Sequence, residues 1–327
     1  MMTQLMDLHI HYGGAIPPLL IFKFLVEDGY LSTEYDEVQK AMTYYDDNVF
    51  SFENFLNKFK ILDYINWSEE RIYATSDAIV KNLTNNNVVY AEIRFTIDKY
   101  RHYLNMSTEE LIRLIIDSLK VANTKYGITT APILGLKYGS TINQSEIIEV
   151  ATNISELAGL DIVGDEQYFN ADIYEPIFCE WRKANKGLTI HVGETQSFEN
   201  IKVAIERLKV NRIAHGISAI NNRDVMQLAI DNDVSFDIAL TSNHKTGVVK
   251  DLSQHPIHKL LDFGCAVTLG TDDPAIFNTS ISNEYSIAKN VVGLNDDQLA
   301  NIKTTAANQA FTQYPKQFLQ QNQYLQQ

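Results

Sequence analysis

Two histidines separated by one residue, His9 and His11, stand in a short apolar segment near the start of the chain. Side chains alternate between the two faces of a β-strand, so both imidazoles would lie on the same face. Buried imidazoles need polar partners, and a divalent metal ion would satisfy both rings at once. Histidines that are solvated or bonded to the backbone would explain the pair equally well, so the pair alone does not decide between these interpretations.

Further metal-binding side chains stand at the ends of two other apolar segments. His191 lies in Leu-Thr-Ile-His-Val-Gly-Glu, and Asp272 lies in Thr-Leu-Gly-Thr-Asp-Asp-Pro. Three imidazole nitrogens and one carboxylate oxygen, with a further position open for water, are the ligand set of a catalytic zinc site. Asp272 and Asp273 are adjacent carboxylates that repel each other, which favours a functional role over a stabilising one.

Two side chains near these ligands could hold or transfer a proton. Glu194 follows His191 by three residues, and a glutamate in a closed pocket can have its pKa raised enough to stay protonated at neutral pH. It could instead be a fifth ligand or a solvated loop residue. His215, in Arg-Ile-Ala-His-Gly, could orient an attacking water, or it could simply bond a backbone carbonyl. The remaining histidines in predicted loops or helix starts are interpreted as solvated: His102, His244, His255 and His258.

Eight short apolar segments could position these residues as parallel strands. They span residues 6–12, 88–95, 130–138, 160–166, 188–194, 212–217, 234–240 and 266–273. Helical patterns lie between them, at 145–158, 172–185, 198–208, 222–232 and 256–262, and a helix from a capping box at Ser107 and Glu110 to Gly127. This alternation predicts an α/β fold, a (β/α)8 TIM barrel, whose active site lies at the carboxyl ends of the strands.

One connection in this pattern is too long for a simple turn. About 75 residues separate the first two predicted strands, and the helical pattern at 50–65 predicts a helical insertion over the barrel mouth. The chain after residue 280 is predicted to form closing helices and a polar tail, with six glutamines among the last twelve residues. Since no linker-like stretch divides the chain, residues 1–327 are predicted to form a single barrel domain.

The composition excludes several classes of protein. The formal net charge is −14, which disfavours binding to nucleic acid or to anionic membranes. No stretch approaches the ~20 apolar residues that span a bilayer, and the first residues do not form a secretion signal. The two cysteines argue against a disulfide scaffold. We therefore expect a cytoplasmic protein that acts on a small molecule, with no protein partner evident.

Taken together, the motifs resemble the adenosine deaminase family of the amidohydrolase superfamily of metal-dependent hydrolases. The resemblance extends from residue 6 to about residue 315, with the motifs in family order. It rests on His9-x-His11, His191-Val-Gly-Glu194, Arg-Ile-Ala-His215-Gly, Thr-Ser-Asn243-His-Lys-Thr-Gly and Thr-Asp272-Asp273-Pro. Gly164-Asp-Glu also resembles the family's purine-contacting turn, and Phe55, Leu56 and Phe59 stand where the family has an apolar gate helix.

The resemblance implies a role for each matching residue. One zinc ion per chain would be held by His9, His11, His191 and Asp272. Glu194 would share a proton with N1 of the purine, and His215 and Asp273 would orient the attacking water. Asp273 would also meet N7, the backbone of Gly164 would meet N3, and His11, Gly13, Phe55, Leu56 and Phe59 would line the substrate site. The implied reaction is hydrolytic deamination of adenosine or a related 6-aminopurine nucleoside, with release of ammonia and the inosine-type product.

Three departures from the family pattern affect the substrate rather than the chemistry. Gly13 stands where the family has an aspartate that binds the ribose 5′-hydroxyl, Ala239-Leu240-Thr241 replaces Cys-Pro before Ser-Asn, and Gly270 replaces an asparagine. Other substrates therefore remain open: adenine, a 5′-modified adenosine such as 5′-methylthioadenosine, or a pterin.

Two rival functions also remain open. A catalytically silent zinc-scaffold binding protein would be expected to lack Glu194 or His215, and both are present. A binuclear phosphoester or lactone hydrolase could use a carboxylated lysine at a strand end, where Lys137 stands, but no such lysine ends the fourth predicted strand. A single metal ion, zinc or a similar divalent ion, is therefore favoured.

Overall fold

Eight parallel strands form a barrel in a computed structural model that describes residues 4–30, 34–45 and 51–317. Each strand pairs with its neighbours in chain order. The strands are β1 Leu5–His11, β2 Val88–Phe95, β3 Thr129–Lys137, β4 Gly159–Val163, β5 Gly187–Val192, β6 Arg212–His215, β7 Ser235–Ile238 and β8 Ala266–Leu269. The predicted (β/α)8 barrel is confirmed.

The barrel closes between its last and first strands at the carboxyl end. The amide of Asp272 donates to the carbonyl of His9 at 2.7 Å, and the amide of His11 donates to the carbonyl of Asp272 at 2.8 Å. Asp272 has a left-handed backbone, with φ of 60°. A conformation that non-glycine residues adopt rarely is thus built into the point where the barrel closes.

Several strands end earlier than their apolar segments predict. The fourth, fifth and eighth stop at Val163, Val192 and Leu269, because the chain turns where its polar residues begin. Gly164 and Gly193 have φ of 100° and 71°, a region that glycine enters without steric cost. The residues predicted as strand ends therefore lie on tight turns above the sheet.

Helices cover the outside of the barrel, and most begin at a capping side chain. The helix at 108–126 has the predicted capping box of Ser107 and Glu110 and ends at Gly127, whose φ is 68°. The α-helices in the described residues are α1 Pro18–Glu27, α2 Tyr35–Met42, α3 Phe52–Asn57, α4 Glu69–Asn85, α5 Thr108–Tyr126, α6 Gln144–Asn153, α7 Ala171–Lys183, α8 Phe198–Val203, α9 Arg223–Asp231, α10 Leu240–Lys245, α11 Ile257–Phe263, α12 Pro274–Phe277, α13 Ile281–Ile287 and α14 Asp296–Gln309.

The long connection between β1 and β2 contains α1 to α4 and a 3₁₀ segment at Lys58–Tyr64. Helix α3 and this segment occupy most of the stretch predicted as helical at 50–65, whose first residue lies outside the described ranges. Phe55 is buried against Phe59 and Phe277, with ring centroids 5.5 and 5.1 Å apart. This packing ties the connection to the barrel, since Phe277 belongs to α12.

A buried charge network fills the opposite end of the barrel. Arg212 on β6 lies 2.6 Å from Glu92 and 2.9 Å from Asp237, and its guanidinium stacks over Phe311 at 3.9 Å.

None of the helices that the structure describes has the length and apolar character needed to cross a membrane. The glutamine-rich tail lies outside the described residues from 318 onward.

Candidate active site

The four predicted metal ligands meet at the carboxyl end of the barrel. Each of His9, His11, His191 and Asp272 offers one ligand atom, and these atoms lie within 4.8 Å of one another. The two Nε2 atoms of His11 and His191 are 3.1 Å apart. Asp272 Oδ1 lies 3.2 Å from His9 Nε2 and 3.1 Å from His11 Nε2. Strand alternation produces the pair from β1, and the turn after β8 contributes the carboxylate.

The ligand atoms of this group lie close enough together to contact one metal ion. Both ring nitrogens of His9 are buried without a hydrogen bond to any described residue, although its Nε2 lies close to Asp272. Zinc–nitrogen bonds of ~2.0–2.1 Å at tetrahedral angles place neighbouring ligand atoms ~3.3 Å apart. Three of the six spacings are 3.1–3.2 Å, close to that value, and all six lie within 4.8 Å, so the residues present could hold a single divalent ion.

Three buried side chains orient these ligands, and sequence reasoning did not identify any of them. Asp161 Oδ1 on β4 lies 3.1 Å from His191 Nδ1, which turns Nε2 of that ring toward the other ligands. Arg94 on β2 lies 3.0 Å from the second oxygen of Asp161. Ser242 donates to Asp272 Oδ2 at 2.7 Å and leaves Oδ1 facing the histidines. The available signal was a charged residue inside an apolar strand segment, at positions 94 and 161.

Glu194 lies on the turn after β5, next to the ligand group. Burial, together with the negative charges of Asp272 and Glu166, raises its pKa to about 8. Its Oε1 accepts hydrogen bonds from Asn243 Nδ2 and Thr246 Oγ1, both at 3.3 Å. The raised pKa favours the protonated form of the carboxyl group near neutral pH, and two donors hold one of its oxygens.

A second glutamate fixes the turn that carries Glu194. The buried carboxylate of Glu166 accepts hydrogen bonds from four consecutive backbone amides, those of residues 193–196, and from Asn200 Nδ2. Sequence reasoning noted Glu166 only as part of the turn after the fourth strand. One carboxylate therefore joins the turn that carries Glu194 to the turn at Gly164, which was predicted to contact the purine.

His215 is the last residue of β6 and has a left-handed backbone, at φ of 62°. Burial lowers the pKa of its ring to about 3, so the imidazole is neutral near pH 7. Its Nε2 lies 3.7 Å from Glu194 Oε2 and 3.8 Å from Asp272 Oδ2, and its Nδ1 lies 3.1 Å from Asn243 Nδ2. The unbonded ring nitrogen thus faces the gap between the ligand group and Glu194.

The prediction that His255 is a solvated loop residue is wrong. The side chain is only 2% exposed, and it bonds Asn243 and the backbone of Ile257. Histidine is amphipathic, and the segment before α11 packs inward, which local sequence pattern does not reveal.

The Asp273 side chain occupies space that is free only because Gly14, beside it, has no side chain. Its Oδ1 is buried without a hydrogen-bond partner among the described residues. A Cβ atom built on Gly14 would lie 1.7 Å from that oxygen. Burial and the adjacent Asp272 raise the pKa of Asp273 well above its usual range. An unpartnered carboxyl group at the cavity wall is available to a polar atom of a ligand.

A cavity of about 440 Å³ opens above the ligand group. Its volume lies within the range of ~300–1,000 Å³ that small-molecule sites occupy. His9 lies beneath it, fully buried, and the other predicted site residues all line its wall: His11, Gly13, Phe55, Leu56, Phe59, Gly164, His191, Glu194, His215, Asp272 and Asp273. Residues from the barrel and from the β1–β2 connection therefore face one space.

Comparison with known proteins identifies the family of the chain. The family model described as "Adenosine deaminase" matches residues 5–320. The chain is 28% identical to an adenosine deaminase of Edwardsiella ictaluri, over 94% of this chain and 93% of that protein. It is 27% identical to an adenosine deaminase of Clostridium acetobutylicum, over 92% and 90% of the two chains.

Solved structures share the fold. Adenine deaminase from Arthrobacter aurescens superposes with a TM-score of 0.85 at 20% identity and 99% coverage of both chains. Arabidopsis ADAL in complex with IMP superposes with a TM-score of 0.83 at 20% identity, over 96% of this chain and 94% of that chain. The family match covers nearly the whole chain, and the chain therefore belongs to the adenosine deaminase family.

Proposed function

We propose that this chain catalyses the zinc-dependent hydrolytic deamination of adenosine or a closely related 6-aminopurine nucleoside. One observation carries the proposal: Glu194, whose pKa is raised to about 8, and His215, whose pKa is lowered to about 3, face the four-residue ligand group across one end of the cavity. Deamination needs a proton for the ring nitrogen and a nucleophile for the adjacent carbon. Within this cavity, Glu194 would supply the proton, and the ligand group with its bound ion would supply the nucleophile.

In the proposed reaction, Glu194 donates its proton to N1 of the purine, which makes C6 electrophilic. When bound, zinc would make hydroxide available near pH 7 by lowering the pKa of water from ~16 toward ~7. His215 holds the attacking oxygen by a hydrogen bond, Asp273 contacts N7, and the backbone of Gly164 contacts N3. The oxygen adds to C6, the hydroxyl proton passes to the amino group, and the C6–N bond breaks. Ammonia leaves, the purine carries a carbonyl at C6 and a hydrogen on N1, and the other proton of the water restores Glu194.

The experiment that tests this proposal is a substrate panel assayed for ammonia release. Adenosine, 5′-deoxyadenosine, 5′-methylthioadenosine, adenine, AMP and a pterin would each be assayed with the purified metal-loaded protein. Loss of the adenine absorbance band should accompany ammonia release from each adenine ring, because deamination converts the 6-amino group to a carbonyl. Absence of ammonia from every aminopurine would overturn the proposal, and hydrolysis of a phosphoester or lactone would favour the binuclear rival.

A second candidate is a nucleoside 5′-phosphate. Three lysines line the same cavity, at positions 60, 99 and 137, and Lys99 pairs with Asp63. Lysine side chains bind phosphate as point charges. The Arabidopsis neighbour was solved with IMP, although its 20% identity to this chain bears on fold alone. AMP in the panel distinguishes this candidate, since a preference for AMP over adenosine should fall as salt is added.

Because Gly13 has no side chain to bind the ribose 5′-hydroxyl, we expect weak discrimination between substrates with and without that hydroxyl. A Cβ atom at this position would lie 3.6 Å from Phe59 and 3.7 Å from Leu62, so the surroundings are apolar and have room for a side chain. We expect adenosine and 5′-deoxyadenosine to differ by less than ~10-fold in kcat/KM, or ~1.4 kcal/mol. Gly13→Asp should favour adenosine, because hydrogen bonds to charged groups contribute ~1.5–3 kcal/mol.

The matched control for this change is Gly13→Asn, which has nearly the same shape without the charge. It should restore less of the preference than the aspartate. A native preference for adenosine above ~10-fold would show that another group binds the 5′-hydroxyl.

The pKa of Glu194 predicts an alkaline limit to activity. Only the protonated carboxyl group can donate to N1, and its pKa is raised to about 8. We expect kcat/KM to be level near neutral pH and to fall about tenfold per pH unit above that pKa. Initial rates across this range would be measured with metal content and thermal unfolding followed at each pH. A level profile through two units above the pKa would contradict the assigned proton donor.

A further inference from the structure

Asn243, on α10, contacts two groups of the site and one residue behind it. Its Nδ2 lies 3.1 Å from His215 Nδ1 and 3.3 Å from Glu194 Oε1, and its Oδ1 lies 3.2 Å from His255 Nε2. Asn243 is fully buried. The amide nitrogen has two hydrogens to donate, whereas the amide oxygen only accepts. The direction of all three hydrogen bonds therefore depends on which way the amide faces.

A backbone amide fixes this direction without ambiguity. The amide of Ile257 donates to His255 Nδ1 at 3.1 Å, and a peptide N–H cannot accept. Nδ1 of His255 therefore carries no proton, and the ring must carry its proton on Nε2. Nε2 then donates to Asn243 Oδ1. If the amide of Asn243 were reversed, its NH₂ group would face another donor in a buried position, which is costly.

The fixed amide sets the proton position of His215. One hydrogen of Asn243 Nδ2 goes to His215 Nδ1, so His215 must carry its own proton on Nε2, the nitrogen that faces the gap beside Asp272. The other hydrogen goes to Glu194 Oε1.

We propose that His255 and Asn243 are positioning residues, which form a relay from the Ile257 amide that fixes His215 as a hydrogen-bond donor through Nε2. The catalytic role of the relay rests on the proposed deamination, in which His215 would stabilise the attacking oxygen by donating a hydrogen bond to it. The proton positions themselves do not depend on the substrate.

The proton position of His215 can be read directly. Long-range ¹H–¹⁵N correlation spectra of the ¹⁵N-labelled, metal-loaded full chain distinguish the two neutral forms of an imidazole ring. We expect the proton of His215, and that of His255, on Nε2. A His215 signal with the proton on Nδ1 would overturn the proposal, whether or not any aminopurine is deaminated.

Two variants test the relay from its two ends. His255→Leu removes the donor that orients Asn243, so the Nδ1-protonated form of His215 should become populated and kcat should fall by ~10-fold or more with KM within ~2-fold. Removing a direct oxyanion donor costs ~10²–10³-fold, which bounds the expected loss. Asn243→Asp keeps the shape but can only accept, so it should move the His215 proton to Nδ1.

Conservative and control variants separate the relay from simple packing. His255→Gln retains an N–H donor toward Asn243 and should keep the native His215 signal and most of kcat. His258→Leu removes a histidine on α11 that bonds the carbonyl of Val292, and it should leave both readouts unchanged. A His255→Leu variant with native His215 signal and native kcat would also overturn the proposal.

Discussion

Replacing Asp272 with alanine is expected to strip the bound metal and to abolish deamination. Its Oδ1 lies within 3.2 Å of both β1 histidines, and it is the one anionic member of the ligand group. Without it, three neutral imidazoles must hold a divalent cation in a buried site with no ligand charge to balance it. Metal per chain, measured by elemental analysis, should fall from one ion to nearly none, and ammonia release should fall to background.

Asp272 also closes the barrel with φ of 60°, so alanine could weaken the fold as well. Asp272→Asn separates the two effects, because asparagine tolerates a left-handed backbone and keeps the shape while losing the charge. Asp262→Ala, at an exposed position on α11, is the matched control. Two ions per native chain would contradict the mononuclear site. A metal-loaded, active Asp272→Asn protein would show that the carboxylate is not a required ligand.

Glu194→Gln is expected to lower kcat by ~10²–10⁴-fold, the usual contribution of a general acid or base. Glutamine keeps the shape of the side chain and the oxygen that accepts from Asn243, but it has no acidic proton for N1. Metal content and KM should change little, since the side chain is not among the four ligands. The measurement is steady-state kinetics on the best substrate of the panel, with elemental analysis of the same sample.

Glu199→Gln makes the same chemical change at an exposed position five residues further on and should leave kcat unchanged. Near-native turnover of Glu194→Gln would mean that the proton reaches the purine from another group. A variant that loses metal together with activity would instead make Glu194 a fifth ligand.

The fold and the ligand group were accessible to sequence reasoning because both depend on local pattern. Alternation of apolar segments and helical stripes predicts a barrel, and strand-end residues of a barrel meet at one face. His9 and His11 share a face through strand periodicity alone. Their partners His191 and Asp272 followed because metal-binding side chain types stood at strand ends.

The supporting residues were not accessible in the same way. Glu166 binds four amides of another turn, and His255 reaches Asn243 through the packing of a loop, so neither role has a local signature. Arg94 and Asp161 are the exception, since a charge inside an apolar strand is visible in the sequence. Their pairing was not predictable, because it joins strands β2 and β4 across the barrel interior.

The cavity wall has two separate origins in the chain, and this has a consequence for how such an enzyme can diverge. The ligands, Glu194 and His215 stand on barrel strands and their turns, whereas Phe55, Leu56 and Phe59 belong to the β1–β2 connection. Connections tolerate insertion and exchange far better than strands do, because lengthening a loop costs little free energy. Mutations in the β1–β2 connection can therefore change the substrate that the enzyme accepts, because this connection carries none of the reactive groups. Descendants of one ancestor would keep the chemistry and differ in the molecule that they accept.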